Sequence, residues 1–164
     1  MINFFEKSPD NFRWNNFYNH PNEPVHQVPF MFNEAGMPWL TQKWTRKISK
    51  NAYGSGVMGL CGNDDVGQLS AWYVLSAMGI HPICPGDNKY QVTSPVFNKI
   101  EISLDKEYYN GNKFTIIANN NSSENIYIQS MQLNGKPLNR FWISHQEIIA
   151  GGTLALEMGP HPFK

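Results

Sequence analysis

The sequence predicts an α+β fold, with N-terminal helices followed by a C-terminal antiparallel β-sandwich module. Before residue 82 apolar residues recur at helical spacing, whereas after residue 85 they alternate with period two, as in half-buried strands. The segment PICPGD at 82–87 separates the two patterns, because proline and glycine interrupt regular structure. We therefore expect a helical segment at 1–82 and a sandwich module at 83–164.

Three helices are predicted in the first part of the chain. The first begins after a capping Asn22 and ends at Gly36, with Pro29 as a site where it is kinked or shortened. The second covers about 38–52, and its tryptophans are expected in the core rather than on a sugar-binding surface. The third covers about 66–79, where the last glycine provides the C-cap.

Short apolar segments with period-two alternation predict the strands of the second part. Asn134-Gly135 predicts a hairpin, because both central residues of a type I′ turn need positive φ. Ser144 and Glu147 have the spacing of a capping box and predict a short helix. Short strands at this spacing indicate an antiparallel sandwich. The predicted strands are 90–93, 99–104, 113–118, 125–133 and 153–158.

Composition excludes several classes of partner. Positive and negative side chains balance at 13 each and form no basic cluster, which argues against nucleic acid and anionic membranes. No apolar run approaches the roughly 20 residues that span a bilayer. The first residues lack the pattern of a secretory signal. Two cysteines, Cys61 and Cys84, allow one disulfide at most and lack metal-ligand spacing.

The segment GNDDVGQLSAWY at 62–73 places two adjacent carboxylates in a turn directly before a helix. Such a position suits sugar chemistry or metal binding, but an aspartate at a helix start is also a common cap. Adjacent aspartates point in different directions, so the pair cannot serve as the separated acid and base of a glycosidase. We expect one of them, Asp65, to act as a base and Asp64 to orient it or bind a cation. Gln68 is either a substrate ligand or an ordinary surface residue.

A second polar segment, HPNEPVH at 20–26, opens another predicted helix. Asparagine, glutamate and aspartate oxygens are hard ligands that suit Ca²⁺ better than Zn²⁺, so Asn22 and Glu23 are candidate metal ligands. His20 and His26 are candidate binding residues, with ordinary buried or surface histidines as the alternative. Two helix starts at one end of a bundle form a shared polar site, because loops present binding groups on a rigid scaffold.

These motifs together resemble one enzyme family along nearly the whole chain. The matching segments, in order, include FYNHPNEPVH at 17–26, PWLTQ at 38–42, GNDDVGQLSAWY at 62–73, TSPVF at 93–97, NIYIQS at 125–130 and GGTL at 151–154. They resemble the C-terminal part of glycoside hydrolase family 92, which comprises calcium-dependent exo-acting α-mannosidases. The resemblance implies the last helices of an (α/α)₆ barrel followed by the closing strands of a β-sandwich.

The resemblance also implies roles for individual residues. Family members invert anomeric configuration, and their general base corresponds best to Asp65, with Asp64 as its partner or rival. By the same resemblance, the segment at 20–26 contacts mannose and the calcium shell. The implied set is therefore His20, Glu23, His26 and Gln68 for substrate and Glu23 and Asn22 for Ca²⁺. Gln27 departs from the family pattern, which commonly has a second histidine there.

Length is the larger departure, because family enzymes carry a further domain, most of the barrel and the general acid ahead of this region. We therefore expect the isolated chain to be inactive without an upstream region, and the parent enzyme, an α-1,2-mannosidase acting on mannose-containing glycans, to be periplasmic or secreted. The alternative is a non-catalytic carbohydrate-binding or structural module derived from such an enzyme.

Overall fold

The computed structural model describes residues 1–163 and confirms the α+β class, with helices first and sheets after them. Five α-helices and eight strands are present in this part of the chain. The helices are α1 (Ile2–Glu6), α2 (Met31–Glu34), α3 (Pro38–Asn51), α4 (Gln68–Met78) and α5 (His145–Ile149). The strands are β1 (Ile80–His81), β2 (Lys89–Val92), β3 (Lys99–Ser103), β4 (Lys113–Asn119), β5 (Tyr127–Leu133), β6 (Lys136–Pro137), β7 (Trp142–Ser144) and β8 (Gly152–Gly159).

Two of the three predicted helices are confirmed as α3 and α4. Helix α4 ends at Gly79, whose φ of 97° is left-handed and thus available to glycine at little cost. The capping box before α5 is also present, with Ser144 and Glu147 bonded reciprocally. Local patterns with a clear physical cause therefore predicted these boundaries well.

The predicted helix from Asn22 to Gly36 is wrong. The chain instead forms two single 3₁₀ turns, Glu23–Val25 and Val28–Phe30, before the one-turn helix α2. The side chain of Asn22 makes no capping hydrogen bond. Each 3₁₀ turn contains a proline, which cannot donate a backbone hydrogen bond and prevents an α-helix from propagating through it.

The strands form two sheets, with orders β1-β2-β7 and β3-β4-β8-β5-β6. The hairpin between β5 and β6 is confirmed, since Asn134 and Gly135 have φ of 53° and 77°. The expectation of a purely antiparallel module is wrong, because β4 and β8 run parallel. Strand β8 lies between β4 and β5. It runs parallel to β4, to which it is connected by residues 120–151, and antiparallel to β5.

Two hydrophobic cores lie in the structure. Aromatic side chains dominate the helical core, which contains Trp72, Trp44, Tyr18 and Phe5. Aliphatic residues from both sheets share the second core. Of the helix tryptophans, Trp44 and Trp72 are buried as predicted, and Trp39 is half-buried. The division of the chain at residue 82 into two domains stays a prediction.

Polar side chains from the helical segment bond to the backbone of the strands. Asn33 donates to the carbonyls of Val92 and Phe141, and the Gln42 side chain accepts from the backbone N–H of Ile128 at 3.0 Å. Such bonds satisfy backbone groups that would otherwise be buried without partners. The two segments are thereby held together by directional contacts as well as by packing.

Two further features of residues 1–163 concern sequence expectations. Cys61 is buried and Cys84 is exposed, and both are free thiols. None of the helices in this part of the chain has the length and apolar character that crossing a membrane requires.

Candidate active site

The acidic turn before α4 has an unusual backbone. Asp64, Val66 and Gly67 all adopt left-handed conformations, with φ of 56°, 55° and 75°. For a β-branched residue such as valine this region is strained, and strain of this kind is concentrated at functional sites. The Val66 side chain is fully exposed, so no burial compensates for the strain.

The structure separates the roles of the two aspartates. The Asp64 carboxylate accepts from the backbone N–H of Ser70 at 2.9 Å and from its hydroxyl at 2.7 Å. The backbone N–H of Ser70 lowers the pKa of Asp64, because it stabilises the ionised form. Asp64 thus provides the capping interaction of the first turn of α4. Asp65 is exposed, and within the described part of the chain its carboxylate makes no hydrogen bond or ion pair.

Replacing Val66 with glycine should stabilise the protein by about 1 kcal/mol, because glycine adopts the left-handed conformation without the clash of a side chain. Urea unfolding measures this change. The matched control is Val74→Gly on the exposed face of α4, which should destabilise by about 1 kcal/mol because glycine weakens a helix interior. A loss of stability in Val66→Gly would show that the turn is not strained.

His20 is completely buried, and both of its ring nitrogens have protein partners. The Tyr18 hydroxyl lies 2.8 Å from Nδ1, and the Tyr53 hydroxyl lies 2.6 Å from Nε2. Burial lowers the pKa of His20 well below its ordinary value, and the nearby His26 and His81 lower it further. The ring is enclosed by protein groups, and its burial favours the neutral form. A role for His20 in substrate binding stays a prediction.

His26 connects the 20–26 segment to α4. Its Nε2–H donates to the His20 carbonyl at 2.9 Å, and the Gln68 side-chain amide lies 3.3 Å from its Nδ1. Burial lowers the pKa of His26 as well. From α4, the Trp72 indole N–H donates to the His26 carbonyl at 2.9 Å.

The acidic turn and the 20–26 segment also approach each other directly. A Cβ atom added at Gly62 would lie 3.0 Å from the Pro21 carbonyl oxygen, so a larger residue here would push the two segments slightly apart. The two polar segments are therefore in contact, at Gly62 and between Gln68 and His26, whereas a shared polar site between them stays a prediction.

The predicted calcium ligands lie in the first 3₁₀ turn, where Asn22 and Glu23 are both half-buried. Within residues 1–163, no three histidine, cysteine, aspartate or glutamate side chains are close enough to hold one metal ion. Calcium takes six to eight oxygen ligands, several of them from carbonyls, amides and water. The acidic residues of this chain alone do not make a complete calcium site.

Three site residues were not found from the sequence. Tyr18 and Tyr53 hydrogen-bond to His20, and Ser70 hydrogen-bonds to the Asp64 carboxylate. Tyr18 lies within a motif already singled out, but only the fold shows that its hydroxyl meets His20. A cleft of about 330 Å³ beside Ser70 is lined by Tyr53, Tyr73 and other residues of α4 and the preceding loop.

Comparisons with known proteins place this geometry in a family. A model of the glycosyl hydrolase family 92 catalytic domain matches residues 1–160. A family 92 inverting mannosidase from Bacteroides thetaiotaomicron VPI-5482 is 39% identical, with a TM-score of 0.80 over 88% of this chain and 19% of that chain. A family 92 alpha-mannosidase from Bacteroides thetaiotaomicron, in complex with mannoimidazole, is 33% identical with a TM-score of 0.82, over 90% of this chain and 19% of that chain.

A third relative, an uncharacterized secreted glycosidase from Arthroderma benhamiae, is 36% identical over 140 residues, which are 84% of this chain and 18% of that protein. The chain thus spans about a fifth of the length of these relatives. The family predicted from the motifs is confirmed over nearly the whole sequence. On the family model and on these structural neighbours, the chain belongs to glycoside hydrolase family 92.

Proposed function

We propose that this chain is the C-terminal part of an inverting, calcium-dependent exo-α-mannosidase that cleaves α-1,2-linked mannose from glycans. The observation that carries the proposal is the Asp65 carboxylate, which is exposed and unpaired within the described residues and lies in a strained turn between two residues, Gly62 and Gln68, that contact the 20–26 segment. Family membership supports the reaction class, and inversion is named for one structural relative. Its parent enzyme would be periplasmic or secreted, in keeping with the secreted glycosidase relative.

In an inverting reaction, Asp65 would act as the general base. A carboxylate in this role takes a proton from water as the water attacks the anomeric carbon, while a protonated acid about 6.5–9.5 Å away protonates the leaving oxygen. Asp65 suits the base because its carboxylate is exposed and unpaired within the described residues. The Asp64 carboxylate accepts two hydrogen bonds from Ser70 and thereby stabilises the turn. The general acid would come from the upstream region.

The substrate would be bound by groups around this turn. Gln68 is exposed next to the acidic turn, Glu23 is half-buried in the 20–26 segment, and each would bind a sugar hydroxyl. His26 presents the ring edge that faces Gln68. In the proposed enzyme, α1–α4 are the last helices of an (α/α)₆ barrel whose remaining helices complete the sugar site.

In this proposal a calcium ion is bound jointly by this chain and by the upstream region. Glu23 and Asn22 would contribute oxygen donors, and the remaining donors would come from outside this chain. A bound calcium ion would supply a positive charge that orients sugar hydroxyls.

The test is mannose release from α-1,2-mannobiose by the chain alone and by the chain mixed with the upstream region of a family 92 enzyme. We expect no turnover from the chain alone and measurable turnover from the mixture. In the mixture, Asp65→Asn should lower kcat by about 10²–10⁴-fold, the usual contribution of a general base. Addition of a chelator should reduce the turnover.

Two matched variants separate the roles of the carboxylates. Asp64→Asn should cost less than Asp65→Asn, because an amide oxygen still accepts from Ser70. Asp87→Asn, in an exposed turn, should leave turnover unchanged. If Asp64→Asn costs as much as Asp65→Asn, the base assignment is wrong. Turnover by the chain alone would show that it contains a complete active site.

A further inference from the structure

A buried chain of hydrogen bonds runs from the N-terminal loop to helix α4. The Tyr18 hydroxyl bonds to His20, His20 bonds to the Tyr53 hydroxyl, and the Tyr53 hydroxyl donates to the Leu69 carbonyl at 2.9 Å. Tyr18 and His20 are fully buried. The bonds therefore cross the helical core, which is otherwise made of aromatic and aliphatic side chains.

The direction of each bond is determined by its neighbours. A carbonyl only accepts, so the single Tyr53 hydroxyl proton points at Leu69 and the Tyr53 oxygen accepts from His20. His20 therefore carries its proton on Nε2, and its Nδ1 accepts from the Tyr18 hydroxyl. Each donor in this chain of hydrogen bonds, which we call the relay, has a single acceptor. The relay therefore selects one tautomer of His20.

The relay ends at the first turn of α4, which directly follows the acidic turn. Gln68, Leu69 and Ser70 are consecutive residues of α4, and each is tied to a different partner. Gln68 contacts His26 and Ser70 binds the Asp64 carboxylate, while the Leu69 carbonyl receives the relay. The Tyr53 ring also stacks on Trp72 with an interplanar angle of 3° and a centroid distance of 5.8 Å.

We propose that His20 and Tyr53 are positioning residues that hold the first turn of α4, and with it the acidic turn at 64–67, against the 20–26 segment. In this role both residues act through Leu69. The catalytic consequence rests on the proposed function, whereas the positioning itself does not. Loss of the Tyr53 hydroxyl removes the link to Leu69 and leaves His20 Nε2 without its acceptor.

The test is Tyr53→Phe in the intact chain, since phenylalanine keeps the ring that stacks on Trp72. Amide hydrogen exchange at 68–70 should become about tenfold faster, because one hydrogen bond no longer restrains the turn. The long-range ¹⁵N spectrum of His20 should lose the single Nε2–H tautomer. Exchange in β4 and β8 of the second core should stay unchanged.

Tyr73→Phe is the matched control, because the Tyr73 ring lies 4.9 Å from the Tyr53 ring but its hydroxyl is not part of the relay. Unchanged exchange at 68–70 in Tyr53→Phe overturns the proposal, and so does an equal acceleration in Tyr73→Phe. In the mixed enzyme, Tyr53→Phe should lower kcat about tenfold with little change in KM. Exchange and tautomer are measured without substrate, so a failure of the proposed reaction leaves this test intact.

Discussion

Lowering the pH from 7 to 5 should reduce the folding stability, by about 2 kcal/mol for His81 alone, because three histidines are buried in the folded chain. His20, His26 and His81 are 0%, 2% and 6% exposed. Burial lowers the pKa of each, to about 4 for His81. With a total stability of typically 5–15 kcal/mol, such a loss is a substantial fraction of the free energy of unfolding.

The sign follows from proton binding in the two states. Above the unfolded pKa of about 6.5 both states are neutral, and the full stability is present. As the pH falls below that value, the histidines become protonated in the unfolded chain but stay neutral in the folded chain. Stability therefore falls until the pH reaches the folded pKa. For His81 this window extends from about 6.5 to about 4 and is worth about 3 kcal/mol.

Urea unfolding at several pH values between 7 and 4.5 measures the effect. His81→Phe is the matched variant, because phenylalanine retains the stacking of His81 on Phe30 at 4.1 Å while removing the titrating group. Its free energy of unfolding should depend less steeply on pH, because the variant takes up at most one proton fewer on unfolding. A free energy of unfolding that is equal at pH 7 and pH 5 would contradict the prediction.

Trp72→Ala should destabilise the chain by about 3–5 kcal/mol, the usual cost of truncating a fully buried aromatic side chain. Trp72 is 0% exposed, and its ring lies 4.4 Å from His20 and 5.8 Å from Tyr53. Its indole N–H also donates to the His26 carbonyl, which would be left without this partner. The loss therefore combines a cavity with an unmade hydrogen bond.

Thermal and urea unfolding measure this loss, with Trp14→Ala as the control. Trp14 is 70% exposed in the N-terminal loop, so its removal should change stability by no more than about 0.5 kcal/mol. If Trp72→Ala fails to fold, Trp72→Phe serves instead and should cost less than alanine. Equal effects of Trp72→Ala and Trp14→Ala would mean that the helical core does not depend on Trp72.

Patterns with a local cause were predicted well from the sequence. Helices α3 and α4, the turn at Asn134-Gly135 and the capping box at Ser144 depend on residues within a few positions of one another. The family was also identified, because its motifs cover most of the chain in order. Such features need no knowledge of how distant segments meet.

Features that depend on distant contacts were missed. The 3₁₀ turns are a local exception: Pro24 and Pro29 interrupt the helical hydrogen bonds, whereas the sequence predicted only a kinked or shortened helix at Pro29. The parallel pairing of β4 with β8 depends on the path of the intervening chain. The different commitments of Asp64 and Asp65 appear only once Ser70 is placed. The catalytic and metal roles of the site residues stay predictions.

The position of β8 has a consequence for biosynthesis. This strand is the last in the sequence of the described residues, yet it pairs on one side with β4 and on the other with β5. Phe114 is matched with Gly152, so the larger sheet cannot close until the residues of β8 have left the ribosome. Until then β4 and β5 each have an unpaired edge, which promotes aggregation. A nonsense codon shortly before residue 152 would remove β8 and leave both edges unpaired.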